Sequence, residues 1–185
     1  MSKKSIGIIA GSLRKGSFSK KIALHLAGLL SQEFETSFPD IGNLVMYNQD
    51  LETGGATPQA WLDFRREIKA LDAVLFVTPE YNRSIPPVLK NALDIASRPY
   101  GKNSWGGKPG AMVSVSPGKM GGFGASSQLR QIAGCLDIHL MGQPEAYIGE
   151  VLPLTDEAGV KDENLKKFLQ LFADAFTKWV NRLTQ

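Results

Sequence analysis

The sequence predicts an α/β fold, an open and doubly wound parallel sheet of five strands with helices on both faces. Apolar runs and amphipathic segments alternate about five times in 185 residues, the pattern of strands joined by helical crossovers. The clearest run, Asp72 to Thr78, is apolar at nearly every position, as expected of a strand covered on both faces. The length suits one domain spanning 1–185, and no linker or internal repeat divides it.

The elements follow in chain order. Ser5–Ala10 is a short apolar run closed by Gly11-Ser12 and reads as a buried strand. Ser19–Leu30 places Ile22, Leu26, Leu29 and Leu30 on one helical face. A weak strand is expected near Glu35–Phe38, then an irregular segment, Pro39–Thr57, that holds Gly54-Gly55. Pro58 suits the first turn of a helix reaching Ala70. After the Asp72–Thr78 strand and Pro79, Pro86-Pro87 opens a helix over Val88–Ser97. Arg98–Lys108 is a loop, Pro109–Ser116 a strand and Gly122–Leu136 a helix, followed by a short strand around Ala146–Gly149. Leu165, Phe168, Leu169, Phe172, Phe176, Trp179, Val180 and Leu183 mark the last helix by three- and four-residue steps.

Composition removes several classes of function. One cysteine, Cys135, makes no internal disulfide, so a disulfide-stapled secreted scaffold is excluded. With only His25 and His139 beside it, a structural zinc site is not expected. We expect Cys135 to be a buried, inert thiol, and both histidines to serve surface or packing roles. No run reaches the roughly 18 apolar residues of a membrane span, and the chain reads as cytoplasmic. The net charge of +3 is no nucleic-acid signature. Six cations (Lys3, Lys4, Arg14, Lys15, Lys20 and Lys21) nevertheless fall in the first 21 positions with no acid among them, which points to a local anion.

Ligands of such sheets bind beyond the carboxyl ends of the strands, so three loops matter. The first, Gly11 to Ser19, joins strand to helix, where free N–H groups and the positive end of the dipole gather. Ser12, Ser17 and Ser19 add hydroxyls, Arg14 a forked cation, and Phe18 lies among them; together they describe a phosphate site. The loop lacks G-x-G-x-x-G, and Ser17-Phe18 stands where G-x-x-x-x-G-K-[ST] needs Lys-Ser/Thr. A terminal monophosphate therefore fits better than a triphosphate. A plain turn with Ser19 as N-cap is the alternative.

The second loop, Pro79-Glu80-Tyr81-Asn82-Arg83-Ser84-Ile85-Pro86-Pro87, is stiffened by its prolines. It suits a planar heterocycle with alternating donors and acceptors along its edge, or else serves as a rigid connector. The third, Ser116 to Gly124, includes Pro117, Gly118 and three further glycines that permit close backbone approach to a ligand.

Three motifs carry a resemblance. Gly11-Ser12-Leu13-Arg14-x-x-Ser17, Pro79-Glu80-Tyr81-Asn82-x-Ser84 and Leu89-Lys90-Asn91-Ala92-Leu93-Asp94 resemble the NADPH-dependent FMN reductases of flavodoxin-like fold, in the branch with bacterial quinone and chromate reductases. Leu129-Arg130-Gln131 and Tyr47-Asn48-x-Asp50 extend the similarity. The resemblance implies bound FMN, with Ser12, Arg14, Ser17 and Ser19 on its phosphate, and Pro79–Ser84 and Ser116–Gly118 on the ring edge. It also implies a homodimer or homotetramer in which the segment around Tyr47 faces a neighbouring site. Three positions depart from the family pattern: Ser19 where Asn is frequent, Arg83 where Tyr is frequent, and Gly124–Ser127 where relatives carry larger groups. The last weakens the case for a family-like tetramer interface.

The expected activity is a two-electron ping-pong hydride transfer from NADPH or NADH, through FMN, to a quinone or similar flat acceptor. Chromate, azo compounds and free flavin are further candidate acceptors. The chemistry sits on the flavin, so no side-chain acid or base is required, and Glu80 is assigned to binding. Arg83 and Tyr47 are candidate substrate contacts; Arg83 and Lys119 either favour the extra phosphate of NADPH or are two solvated surface cations. The alternatives are an FMN electron carrier without nicotinamide turnover and a phosphate-binding module without flavin.

Overall fold

The computed structural model describes residues 3–53 and 55–184; Met1, Ser2, Gly54 and Gln185 lie outside them. Strand β1 (Ser5–Ala10) leads into helix α1 (Phe18–Leu30), then β2 (Glu35–Ser37), a short α2 (Asp50–Thr53) and α3 (Gln59–Ala70). β3 (Ala73–Pro79), α4 (Pro87–Ala96), β4 (Pro109–Val115) and α5 (Phe123–Cys135) follow. β5 (His139–Leu140), β6 (Ala146–Ile148), a hairpin of β7 (Thr155–Asp156) and β8 (Gly159–Val160), and α6 (Glu163–Leu183) complete the chain.

The strands pair in parallel in the order β2-β1-β3-β4-β5. The fifth position is shared: β5 pairs with Pro109 and Gly110 of β4, and β6 pairs with Val113–Val115 of the same strand. One interrupted edge strand thus occupies the place where a single strand was expected.

Alternation along the strands builds the two halves of the core. Ile6, Ile8, Leu75, Val77, Ala111 and Val113 pack toward α1 and α6. Ile9, Val74, Phe76 and Met112 pack toward α3, α4 and α5. Most of the predicted helical faces bury: Ile22, Leu26 and Leu30 on α1, and Leu165, Leu169, Phe172, Phe176 and Val180 on α6, with Leu29, Phe168 and Trp179 half-buried beside them; Leu183, at the end of α6, is exposed instead.

The irregular segment between β2 and α3 is held by buried polar groups. Asn91 Nδ2 donates to the carbonyls of Leu44 and Val45 at 3.0 and 3.2 Å, and its Oδ1 accepts from Tyr47 N at 2.8 Å. Arg65 donates to the Ile95 carbonyl at 2.8 Å and pairs with Glu52 of α2. Two expectations are corrected. Cys135 is exposed, because the apolar stripe of α5 runs through Ala125, Leu129 and Ala133 and leaves position 135 on the opposite face. Ser17 rather than Ser19 caps α1, so the helix begins one residue early.

No helix among the described residues is long and apolar enough to cross a membrane. Nor does any group of three or more His, Cys, Asp or Glu among them stand close enough together to hold a metal ion.

Candidate functional site

The strand order reverses between β1 and β3, and the loops after β1, β3 and β4 meet there around a hollow of about 170 Å³. The first loop contributes Ser12, Arg14, Ser17, Phe18 and Ser19, the second Pro79, Glu80 and Tyr81, and the third Val115, Ser116 and Pro117. Ten predicted residues therefore line one cavity, and Val115 joins them; its apolar strand position carried no sequence signal for a site. Asn82, Ser84 and Gly118 stand beside the hollow without lining it.

The first loop is built for an anion. Ser12, Ser17 and Ser19 are only 5%, 2% and 1% exposed. Ser17 Oγ accepts from Lys20 N at 3.2 Å, which caps α1 and leaves the hydroxyl proton free to donate. Among the described residues, the Oγ atoms of Ser12 and Ser19 take part in no intrachain hydrogen bond, and the N–H groups of Phe18 and Ser19 meet no backbone acceptor. Arg14 makes no ion pair among them either. Buried hydroxyls, orphan helix N–H groups and a guanidinium free of ion pairs form a donor set for phosphate oxygens. The residues fit the phosphate end of FMN. The cavity is smaller than the roughly 300–1,000 Å³ that encloses a drug-sized ligand, so it would enclose only part of such a ligand.

The second loop is a two-residue turn. Tyr81 and Ser84 exchange backbone hydrogen bonds of 2.8 and 2.9 Å, and Asn82 and Arg83 take φ of 50° and 67°. Positive φ at both central positions is the type I′ geometry, for which Asn82 was suited and Arg83 was not. The ladder uses the N–H groups of Tyr81 and Ser84, leaving those of Asn82 and Arg83 without a backbone acceptor among the described residues.

Glu80 does more than line the hollow. Its Oε2 accepts from Ala125 N at 3.1 Å, so it caps α5, whose own N-cap position is Gly122 with no side chain to offer. Ser84 Oγ donates to Gln128 Oε1 at 2.6 Å, a second tie between this loop and α5. Gly124 makes the approach possible: a Cβ there would stand 2.9 Å from Glu80 Oε2.

Two of the third loop's glycines, Gly121 and Gly122, are required by packing. A Cβ on Gly121 would lie 2.5 Å from the Tyr147 carbonyl carbon, and one on Gly122 2.9 Å from Ser114 Cβ. Gly118 N donates to Ser116 Oγ at 3.0 Å, and Ser116 N to the Ile148 carbonyl at 2.9 Å. The loop is thereby pinned to β6.

Arg83 and Tyr47 stand apart from the hollow. Arg83 is largely exposed, 3.8 Å from Glu80 Oε1. Tyr47 stacks on Trp61 at 5.4 Å between centroids and donates its hydroxyl to Glu52 at 3.2 Å. Burial, and then the Glu52 carboxylate, push its phenol above the ordinary value. A second hollow of about 340 Å³ shares Ser12 with the first and lies against Leu13, Leu24 and Phe38. It is mostly apolar; Lys20 is its one cation, and Asp40 is engaged by Gly42 N and Asn43 Nδ2. That wall does not suit a phosphate.

Known proteins resemble this chain in sequence and in fold. The family model for NADPH-dependent FMN reductases matches residues 5–152. A quinone reductase of Pseudomonas putida is 49% identical over 176 residues, covering 95% of this chain and 94% of its own. A 2-hydroxy-1,4-benzoquinone reductase of a Burkholderia species is 46% identical, with 95% of each covered. Among solved structures, FerB, a flavoenzyme NAD(P)H:(acceptor) oxidoreductase of Paracoccus denitrificans, superposes with a TM-score of 0.90 at 40% identity, over 97% of this chain and 98% of its own.

Proposed function

The chain belongs to the NADPH-dependent FMN reductase family, and from that premise we propose that it reduces quinones or similarly flat acceptors by two-electron ping-pong hydride transfer. FMN is the bound cofactor and NAD(P)H the electron donor. When bound, FMN supplies the hydride chemistry; the chain binds, orients and leaves access. The observation that carries the reading is the hollow itself, with phosphate donors at one end and too little volume to cover a whole ligand.

In this reading Ser12, Ser17 and Ser19, the N–H groups of Phe18 and Ser19, and Arg14 hold the phosphate. Pro79 to Ser84 run along the ring edge, where the free N–H groups of Asn82 and Arg83 are fixed donors for charge developing there. Ser116, Pro117 and Gly118 support the opposite side. Glu80 keeps its place beside the ring and spends its carboxylate on α5, so it supplies no proton. Arg83 faces solvent, where it can meet the extra phosphate of NADPH.

Tyr47 reaches an acceptor only from a neighbouring subunit, and we place it there. Val45 and Met46, exposed on the same anchored segment, support a homodimeric or homotetrameric contact. A single flavodoxin-like domain over 1–185 working in the cytoplasm completes the reading. Chromate, azo compounds and free flavin are side acceptors of the same open site.

The test is direct. The purified chain is yellow, and after removal of flavin it quenches the fluorescence of added FMN. Under anaerobic conditions it turns over NADPH continuously when a quinone is supplied. Protein that is colourless and leaves FMN fluorescence unchanged contradicts the reading.

A further inference from the structure

Arg14 is exposed, yet its guanidinium is not left to solvent. Its Cζ stands 5.2 Å from the centroid of the Phe18 ring, within cation–π range. Lys21 Nζ lies 5.8 Å from the same centroid. Lys21 is itself tied down, donating to the backbone carbonyl of Asp156 in the β7–β8 hairpin. Asp156 Oδ1 in turn accepts from Ala158 N and Gly159 N at 2.9 and 3.2 Å, which fixes that hairpin's turn. On the near side, Gly16 leaves the arginine its room: a Cβ there would stand 3.3 Å from Arg14 Nη1.

An arginine side chain has many rotamers, and ordering it on binding opposes affinity. A guanidinium already parked on an aromatic face loses less. Resting on the FMN reading above, we infer that Phe18 is a positioning residue for the cofactor's phosphate. Its ring holds the Arg14 guanidinium at the hollow, and the ring is braced through Lys21 by the hairpin. The brace reaches beyond residues 5–152, where the family model matches. The role differs from that of a cavity wall, because it acts through Arg14 and concerns the phosphate alone.

The experiment titrates the flavin-free full chain with FMN and with riboflavin, which lacks the phosphate. Wild type, Phe18→Leu, Phe18→Tyr, Arg14→Ala and the Phe18→Leu/Arg14→Ala double variant are compared, with thermal unfolding as a control for folding. Phe18→Leu should weaken FMN about three- to tenfold and leave riboflavin unchanged. Phe18→Tyr, which keeps the aromatic face, should restore FMN affinity. In the Arg14→Ala background the leucine substitution should cost nothing further.

Equal FMN affinity in Phe18→Leu overturns the inference. So does an equal loss for FMN and riboflavin, which marks a mere wall, or an undiminished loss in the Arg14→Ala background. If Phe18→Leu alone fails to fold, Phe18→Met and the Phe18→Met/Arg14→Ala double variant replace it with the same expected and overturning results; a Phe18→Tyr variant that folds but loses FMN affinity also overturns the inference. A wild-type chain that binds FMN no more tightly than riboflavin sinks the phosphate reading itself and the positioning role with it. That failure is distinct, because it appears before any substitution is made.

Discussion

Replacing Arg14 by alanine removes a charge-assisted donor from the hollow and leaves the loop backbone alone, since the turn is closed by Ser17 N on the Arg14 carbonyl at 3.2 Å. The expected result is a loss of about 1.5–3 kcal/mol of FMN affinity, roughly 10- to 150-fold, with unfolding unchanged; fluorescence titration measures it. Arg83→Ala tests a different contact. If Arg83 meets the nicotinamide cofactor's extra phosphate, steady-state preference for NADPH over NADH falls several-fold; an unchanged ratio removes Arg83 from the account. At this scale the sequence was legible where residue chemistry is itself the signal, as with Ser12, Arg14 and Ser19. It was less so where a role depends on a distant partner. Nothing near Glu80 in the chain announces that it caps α5, 45 residues away, and the packing role of Gly121 could not be read without seeing the Tyr147 backbone beside it.

Among the elements, the long periodic ones were readable and the short ones were not. α1 and α6 show their buried faces over three or more turns. β5, β7 and β8 have two residues each, too few for alternation to appear, and are fixed by pairing with partners remote in sequence or across a tight turn. The segment before α3 reads as irregular because its order comes from Asn91 and Arg65 on other elements. Asn91→Ala should leave buried backbone groups of that segment unpaired and cost about 1–3 kcal/mol in urea unfolding; unchanged stability would show the segment held by other contacts.

His25 lies on α1, where burial, and secondarily the Lys166 charge from α6, hold its imidazole below the ordinary 6.5. The unfolded chain gains its proton as pH falls through about 6.5, while the folded chain resists until lower pH. Stability should therefore decline as pH drops below 6.5 and stop declining from this source once the folded imidazole protonates. His25→Gln should flatten that part of the profile, measured as the difference between urea midpoints at neutral and mildly acid pH. An identical slope in the variant would assign the dependence elsewhere.

For the whole molecule, the doubly wound sheet fixes the place of the hollow. Parallel strands send the loops after β1, β3 and β4 to one end, where the order reverses. That arrangement follows from the right-handed crossover rule and from apolar strands too short to stand alone. The fold and the meeting of those loops around one hollow were thus legible together, whereas subunit contacts depend on surfaces that no periodicity marks. In the proposed function the hollow leaves its ligand's reactive end open to a donor and an acceptor in turn. Anaerobic double mixing tests it most directly: the FMN-loaded chain meets NADPH, and a quinone follows. The flavin band should bleach in the first mixing and return in the second. A band that stays oxidised through the first mixing, as in a pure electron carrier, would contradict the account.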